Sequence, residues 1–128
     1  MTSKTRSQEL ENRLVEYGVN IISLCRKLPN DLAGRHLSGQ LLRSGTALPL
    51  NYAEARGAES LKDFRHKLSI VVKEARESHV NIKMIKGANL STGALIDHLL
   101  DESNQLTAIF VSTIGVSIIS CNGNVTAP

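Results

Sequence analysis

Residues 61–86, LKDFRHKLSIVVKEARESHVNIKMIK, decide the fold class of this chain. Apolar and small residues recur there at alternating steps of three and four, at eight successive positions: Leu61, Phe64, Leu68, Val71, Ala75, Ser78, Ile82 and Ile85. This spacing puts them on one face of an α-helix, whereas a half-buried strand would alternate with a period of two. We therefore predict a long amphipathic helix over about residues 60–86.

Capping signals stand at both ends of this helix. Ser60, three residues before Asp63, resembles a capping box with Asp in place of the usual Glu. At the other end Lys86 places a cation in the last turn, and Gly87 is expected to be the C-cap glycine. Both signals agree with the limits of the periodic stretch.

A second helix is predicted upstream, over about residues 32–58, on the same alternation of four and three: Leu37, Leu41, Ser44, Leu48, Asn51 and Ala55. The pattern passes through Pro49, which removes one backbone hydrogen bond and crowds the carbonyl of Gly45. A proline inside a helix destabilises it by roughly 3 kcal/mol. A glycine at position 45 lets the backbone bend, and Ser44 or Thr46 could bond freed carbonyls. We predict one proline-kinked helix, with a break at the proline as the alternative.

Two further helices flank this pair. The first, about residues 6–28, ends before Pro29 and carries the apolar series Leu10, Leu14, Tyr17, Ile21, Leu24 and Leu28. The fourth, about residues 94–119, has on its stripe Leu95, Leu99, Leu106, Phe110, Thr113 and Ser117. Four helices with short connections predict an all-α four-helix bundle, one domain over residues 1–128.

The end of the fourth helix is more apolar than a bundle helix requires. From Ile109 onward nearly every side is apolar, through Val111, Ile114, Val116, Ile118 and Ile119. A helix that is apolar all round is buried, so we expect a subunit contact there. Because the run is rich in β-branched residues, a strand is the alternative. The tail, residues 120–128, is expected to be disordered.

The composition excludes several classes of protein. The chain has 128 residues, of which 41% are hydrophobic and only 3% aromatic, with no Trp. This suits one globular domain with an aliphatic core. It argues against a single-strand nucleic-acid platform, in which bases stack on aromatic rings. The longest apolar run, about 13 residues, is shorter than the roughly 20 that cross a bilayer, so we expect a cytoplasmic protein without a membrane partner.

Sequence motifs for catalysis, metal binding or cofactor binding are absent. Cys25 and Cys121 lie far apart without a CxxC pair, and no His stands at metal-ligand spacing from either. The Glu-x-x-His motif of carboxylate metal sites is missing, as are the G-x-S-x-G elbow and a glycine-rich phosphate loop. We expect a non-enzyme with no catalytic residues, no metal and no cofactor.

The net charge of +3 is unevenly distributed. Residues 60–93 carry seven basic and three acidic residues, a net of +4. Five of these basic residues avoid the apolar stripe of the third helix: Lys62, Arg65, Lys73, Arg76 and Lys83. We predict that they contact nucleic-acid phosphates, with little sequence specificity. The alternative is a solvated face whose charge is balanced by Glu74 and Glu77.

The second and third helices also carry a family pattern, at Gln40, Leu41, Arg43, Ser44, Leu48, Asn51, Ala53, Glu54, Ser60, Asp63 and Phe64. In these residues the chain resembles the four-helix bundle proteins encoded in intervening sequences of bacterial 23S ribosomal RNA genes. The resemblance covers about residues 8–118. Two positions depart from the pattern: Tyr52 replaces a small aliphatic residue, and Ala55 replaces a glycine.

The resemblance implies an antiparallel up-down-up-down four-helix bundle that assembles as a ring-like homopentamer. It extends to the accessory variability proteins of diversity-generating retroelements, which form similar pentamers and work with a reverse transcriptase and RNA. No catalytic activity is attached to either group. The implied partners are further copies of this chain, RNA or DNA, and a reverse transcriptase.

Three polar residues of the second helix, Arg43, Asn51 and Glu54, stand close to one another in this pattern. Asn51 lies on the apolar stripe, and a buried Asn must be hydrogen-bonded while a buried Glu must be paired. We interpret the three as a structural polar cluster that holds the helix in register. A ligand or RNA site at the same place is the alternative.

Two functional hypotheses follow from these features. The first is a non-enzymatic oligomeric scaffold that binds RNA or DNA and partners a reverse transcriptase. The second is a structural or protein-interaction oligomer with no role in nucleic-acid binding.

Overall fold

A computed structural model describes residues 3–122, which form four helices. These are α1 (Ser3–Arg26), α2 (Leu32–Arg56), α3 (Leu61–Gly87) and α4 (Ala94–Asn122). Each of α1 and α3 packs against both α2 and α4, and the connections are short, as in an antiparallel four-helix bundle. No strand occurs within residues 3–122. The predicted all-α class is confirmed.

The fourth helix continues through the β-branched run that could have formed a strand, and it ends at Asn122 rather than near residue 119. The predicted subunit contact at this end rests on the apolar run that begins at Ile109, and it stays a prediction. Within the described part of this run, Val111 is 44% exposed and Ile109 and Ile114 are half-buried. The remaining apolar residues of the run are Val116, Ile118 and Ile119. Their side chains lie outside the described part of the chain. Residues 120–122 belong to α4, against the predicted disorder of the tail from residue 120. Residues 123–128 lie outside the described part of the chain, and for them the disorder stays a prediction.

The core lies between the four inner helix faces and is mainly aliphatic. Six of the eight stripe positions of α3 are buried, namely Leu68, Val71, Ala75, Ser78, Ile82 and Ile85. The first two, Leu61 and Phe64, stay exposed or half-buried because they lie at the rim of the bundle. The largest fully buried side chains are Tyr17 on α1 and Phe110 on α4. Phe110 also makes an edge contact with Tyr52, with ring centroids 5.4 Å apart.

The second helix runs unbroken through Pro49, so the alternative of a break there is not adopted. The predicted bend at the proline stays a prediction. Neither expected hydroxyl bonds the carbonyl of Gly45: Thr46 Oγ1 donates to Leu42 O at 2.6 Å, and Ser44 Oγ to Leu41 O at 3.4 Å. Each hydroxyl instead donates to a carbonyl three or four residues earlier in α2.

Gly45 has a packing role that the sequence pattern did not indicate. A Cβ added there would lie 2.7 Å from Cγ1 and 2.8 Å from Cγ2 of Ile21 on α1. One turn further along, Pro49 packs on α1 beside Gly18, where an added Cβ would lie 3.6 Å from the proline Cγ. Gly45 therefore permits α1 and α2 to approach closely at Ile21, whereas a Cβ at Gly18 would make only an ordinary van der Waals contact.

The helix termini follow the usual capping chemistry, with one correction. Ser60 caps α3 as predicted, since its Oγ accepts from the Asp63 N–H at 3.0 Å. At the other end the left-handed residue is Asn89, with φ of 61°, and not Gly87. The Leu90 N–H donates to Ile85 O, and the Asn89 N–H to Lys86 O, both at 3.0 Å. These two bonds form a Schellman motif, displaced two residues beyond the predicted glycine.

Substituting Asn89 tests this motif. We expect Asn89→Ala to destabilise the protein by about 1 kcal/mol, because alanine tolerates the left-handed region less well than asparagine. Asn89→Gly, which removes the Cβ, should be at least as stable as the wild type. Urea denaturation of the three proteins would measure the difference. Equal stability of the alanine and glycine variants would contradict the assigned motif.

Candidate nucleic-acid interface

The five basic residues predicted to bind nucleic acid lie on one outward strip of α3. We call the strip formed by Lys62, Arg65, Lys73, Arg76 and Lys83 the basic stripe. At 3.6 residues per turn these positions fall within an arc of about 80°. Four of the side chains are exposed and Arg65 is half-buried. The arc faces away from the core because the buried stripe occupies the opposite side of the helix.

None of the basic stripe residues forms an ion pair with another described residue. The other two cations in the body of α3 do: Lys67 Nζ lies 3.2 Å from Glu54 Oε1 on α2, and Lys86 Nζ lies 2.5 Å from Asp97 Oδ1 on α4. Those two lysines stand at the borders with neighbouring helices, where carboxylates of α2 and α4 are within reach. The basic stripe lies between these borders and keeps its charge available.

The carboxylates that could have neutralised the basic stripe are engaged elsewhere. Arg43 of α2 donates from Nη1 to Glu74 Oε2 at 2.8 Å and from Nη2 to Glu77 Oε2 at 2.6 Å. Glu74 is only 5% exposed, so its charge requires a partner. The hydrogen bond to Glu77, together with the charge of Glu74, raises the pKa of Arg43. The two glutamates primarily balance a cation of α2.

The predicted polar cluster of α2 is not brought together. Arg43 points to α3, and Glu54 is exposed and reaches Lys67 on the same neighbour. Asn51 is half-buried, and its Nδ2 donates to Ala47 O at 2.9 Å within its own helix. The buried carboxylate of this region is Glu74, not Glu54. These polar residues connect α2 to α3 rather than forming one cluster inside α2.

Arg76, in the middle of the basic stripe, borders two clefts. One, of about 500 Å³, lies between α2 and α3 and is lined by Gln40, Arg43, Arg76, Glu77, Val80 and Asn81. The other, of about 460 Å³, lies on the opposite side and includes Lys73, Arg76 and Ile114. A larger cleft of about 660 Å³ lies at the rim of the bundle beside Tyr52 and Phe64. Both clefts beside Arg76 are open to solvent.

Polar groups in the core were missed by the sequence reasoning. Tyr17 on α1 and Ser78 on α3 share a hydrogen bond of 2.7 Å, and His79 Nδ1 lies 2.7 Å from Ser103 Oγ on α4. Burial raises the pKa of Tyr17 to about 12, and burial, with the charge of Lys83, lowers that of His79. Positions 17 and 78 lie on the apolar stripes of α1 and α3. The only sequence signal for their hydrogen bond was that both side chains carry a hydroxyl group. Their observed bonds connect helices and give no catalytic geometry.

Cysteine and metal chemistry find no support in this part of the chain. The Cys25 thiol is half-buried against the carbonyl of Ser38, and burial raises its pKa to about 11, so it is rarely a thiolate at neutral pH. The side chain of Cys121 lies outside the described residues. Among those described, no group of three or more His, Cys, Asp and Glu residues is placed to hold a metal ion.

The ion pair between Arg13 and Glu102 predicts a pH dependence of stability. Arg13 Nε and Nη2 donate to the two carboxylate oxygens at 2.8 and 2.7 Å, and this bond lowers the pKa of Glu102 despite its partial burial. A lowered folded-state pKa stabilises the protein above the unfolded pKa, near 4.3. The gain disappears as the pH falls through the folded-state value.

Urea midpoints of the wild type and Glu102→Gln at pH 7 and in acid would measure this contribution. We expect the wild type to be more stable at pH 7 by less than about 1 kcal/mol, because Arg13 is 35% exposed. The difference should shrink as the carboxylate is protonated. A difference that stays constant down to pH 3 would contradict the assignment.

Comparison with known proteins places the chain in a family. The model of the 23S rRNA-intervening sequence protein family matches residues 6–112. The chain belongs to this family. The matched region contains α2, α3 and most of α1 and α4, including the whole basic stripe. It nearly coincides with residues 8–118, over which the sequence resembles these proteins.

A solved structure supports the same assignment to the 23S rRNA-intervening sequence proteins. It is a Bacteroides thetaiotaomicron protein of unknown function from the S23 ribosomal protein family. The two chains are 30% identical and superpose with a TM-score of 0.76, covering 81% of this chain and 96% of the other. No curated protein matches the sequence. Within residues 3–122 no helix has the length and apolar character needed to cross a membrane.

Proposed function

We propose that this member of the 23S rRNA-intervening sequence family is a cytoplasmic, non-enzymatic, oligomeric scaffold that binds nucleic-acid phosphates through the basic stripe. One observation carries the proposal: five cations share an outward strip of α3, and none has an ion-pair partner among the described residues. Unpaired Lys and Arg side chains on a rigid surface are the usual means of binding a phosphate backbone.

Oligomerisation would strengthen this electrostatic attraction. The chain carries a net charge of +3, so a pentamer would carry about +15, which suffices for long-range attraction of a polyanion. The pentameric state and a reverse transcriptase as protein partner rest on the family resemblance. A scaffold of this kind would hold the nucleic acid while the partner enzyme performs the chemistry.

A surface for contact with further copies of the chain is available on α1 and α2. Val15, Val19 and Ile22 are spaced by four and three residues on α1 and are 49%, 54% and 37% exposed. Leu42 and Leu50 of α2 are 42% and 64% exposed. The two sets belong to neighbouring helices, since α1 and α2 pack against each other. We propose that this apolar surface is covered by another copy of the same chain.

Light scattering on a sizing column tests the oligomer and its binding together. We expect an oligomer that co-elutes with a structured RNA at low salt and releases it as salt rises. The test variant neutralises four stripe residues, Lys62, Arg65, Lys73 and Arg76, to Gln. Its matched control neutralises four exposed cations away from the basic stripe: Arg6, Arg26, Lys27 and Arg35.

The two variants have the same net charge, and Gln is well tolerated in helices. Loss of RNA binding in the stripe variant alone, with helicity and oligomer mass unchanged, is the expected result. Equal binding by both variants would overturn the assigned surface. A monomeric wild type would overturn the proposed oligomer.

A structural or protein-interaction oligomer without nucleic-acid binding is the second candidate function. The exposed apolar surface of α1 and α2 favours it, because that surface suits a protein partner whether or not the basic stripe is used. An oligomer that ignores RNA at every salt concentration would support this candidate over the first.

A further inference from the structure

We infer that the partner of the basic stripe is a double-stranded nucleic acid rather than a single strand. This inference rests on the proposed function and specifies its substrate class. It is carried by the placement of the aromatic side chains and by the shape of the charged surface.

The aromatic residues of this chain are turned away from the basic stripe. The sequence contains two Tyr, two Phe and no Trp. Tyr17, Tyr52 and Phe110 are buried, and Phe64 is half-buried against the core. Proteins that hold single strands without sequence preference rely on bases stacked on exposed aromatic rings, at about 1–3 kcal/mol per base. Among the described residues no exposed aromatic platform occurs, so phosphate charge is the principal attraction that these residues offer.

The geometry of the basic stripe suits a rigid polyanion. Lys62 and Lys83 stand 21 residues apart on one helix, a span of about 31 Å at 1.5 Å per residue. Duplex DNA presents one phosphate charge per about 1.7 Å of its axis, whereas each strand alone presents one per about 3.4 Å. Cations anchored along one side of a rigid helix therefore meet a higher density of phosphates on a duplex. Binding to a duplex also avoids the ordering cost of a flexible strand.

The same features predict recognition without sequence preference. The basic stripe lies on α3, whose two flanks pack against α2 and α4. The helix therefore cannot insert fully into a groove of the nucleic acid. Contacts made only to phosphates fix position and orientation but carry no direct sequence information. The clefts on either side of Arg76 could accommodate the edges of the backbone.

Binding to matched oligonucleotides tests the inference. A fluorescent oligonucleotide of about 20 nucleotides would be titrated with the protein, both as a single strand and as a duplex. DNA and RNA versions would be compared at salt concentrations from about 50 to about 200 mM. We expect both duplexes to bind about tenfold or more tighter than their single strands. The slope of log K against log salt should approach about −4.5 per protomer on duplex DNA if all five cations engage phosphates.

Two variants separate failure of the inference from failure of the proposed function. Neutralising Lys62, Arg65, Lys73 and Arg76 to Gln should reduce the duplex slope by about 3.6, and the matched control variant should leave it unchanged. Equal or tighter binding of single strands, with the slope still lost in the stripe variant, would overturn the duplex inference alone. Absence of binding to every oligonucleotide would overturn the proposed function itself.

Discussion

Replacing Gly34 with alanine is expected to destabilise the protein by about 3 kcal/mol or more. An ideal Cβ at this position would lie 1.9 Å from the carbonyl oxygen of Pro29 and 2.9 Å from its carbonyl carbon. Both atoms belong to the backbone, so no side-chain rotation can relieve the overlap. The connection between α1 and α2 would have to open.

That connection has little freedom to open, because the same residues cap α2. Asp31 is the N-cap, and its Oδ1 accepts from the Gly34 N–H at 2.8 Å. The added Cβ would also approach this carboxylate oxygen, to 3.1 Å. Moving the chain away from Pro29 therefore loses the cap, which typically contributes about 1 kcal/mol. Steric overlap and loss of the cap act in the same direction.

Urea denaturation of Gly34→Ala and of Gly39→Ala gives the measurement and its control. Gly39 lies in the same helix, and an added Cβ there meets no atom within 4 Å. Alanine at position 39 should stabilise the protein by up to about 1 kcal/mol, because alanine favours the helix over glycine. Opposite signs at positions 34 and 39 are expected. Stabilisation by both substitutions would contradict the close approach of Gly34 to Pro29.

The class of the fold could be predicted from the sequence because helix periodicity is a local property. The alternation of three and four along α3 located its buried face, and α2 kept its phase through Pro49. Local chemistry also predicted the cap at Ser60. It failed at the other end of α3, where Asn89 rather than Gly87 adopts the left-handed conformation. Both residues are suited to that position, and the sequence alone favoured the more common one.

The sequence predicted which residues of the candidate interface face outward, but not which ion pairs form around it. Residues that avoid the apolar stripe face outward, which placed Lys73 and Arg76 at the surface. Which cation meets which carboxylate depends on how the helices are rotated and aligned against each other. For that reason Arg43 was expected beside Glu54 but pairs with Glu74 and Glu77 on the next helix. That the basic stripe residues lack ion-pair partners among the described residues follows only from the positions of α2 and α4 beside α3.

Replacing Gly45 with alanine is the second substitution expected to have a large effect, a loss of about 1–3 kcal/mol. The added Cβ would lie 2.7 and 2.8 Å from Cγ1 and Cγ2 of Ile21, which is itself fully buried. These carbons branch directly from Cβ, so the side chain cannot swing clear without moving into the core. The gain in helix propensity, up to about 1 kcal/mol, offsets only part of this overlap.

A double-mutant cycle with Ile21→Ala distinguishes two roles for Gly45. If the glycine is needed for contact with Ile21, Gly45→Ala should be neutral or stabilising once both γ carbons of residue 21 are removed. If it is needed because the chain bends at Pro49, the loss should persist in the Ile21→Ala background. We expect the first result, since the contact distances alone account for the glycine. Persistence of the full loss would instead show that the proline requires it.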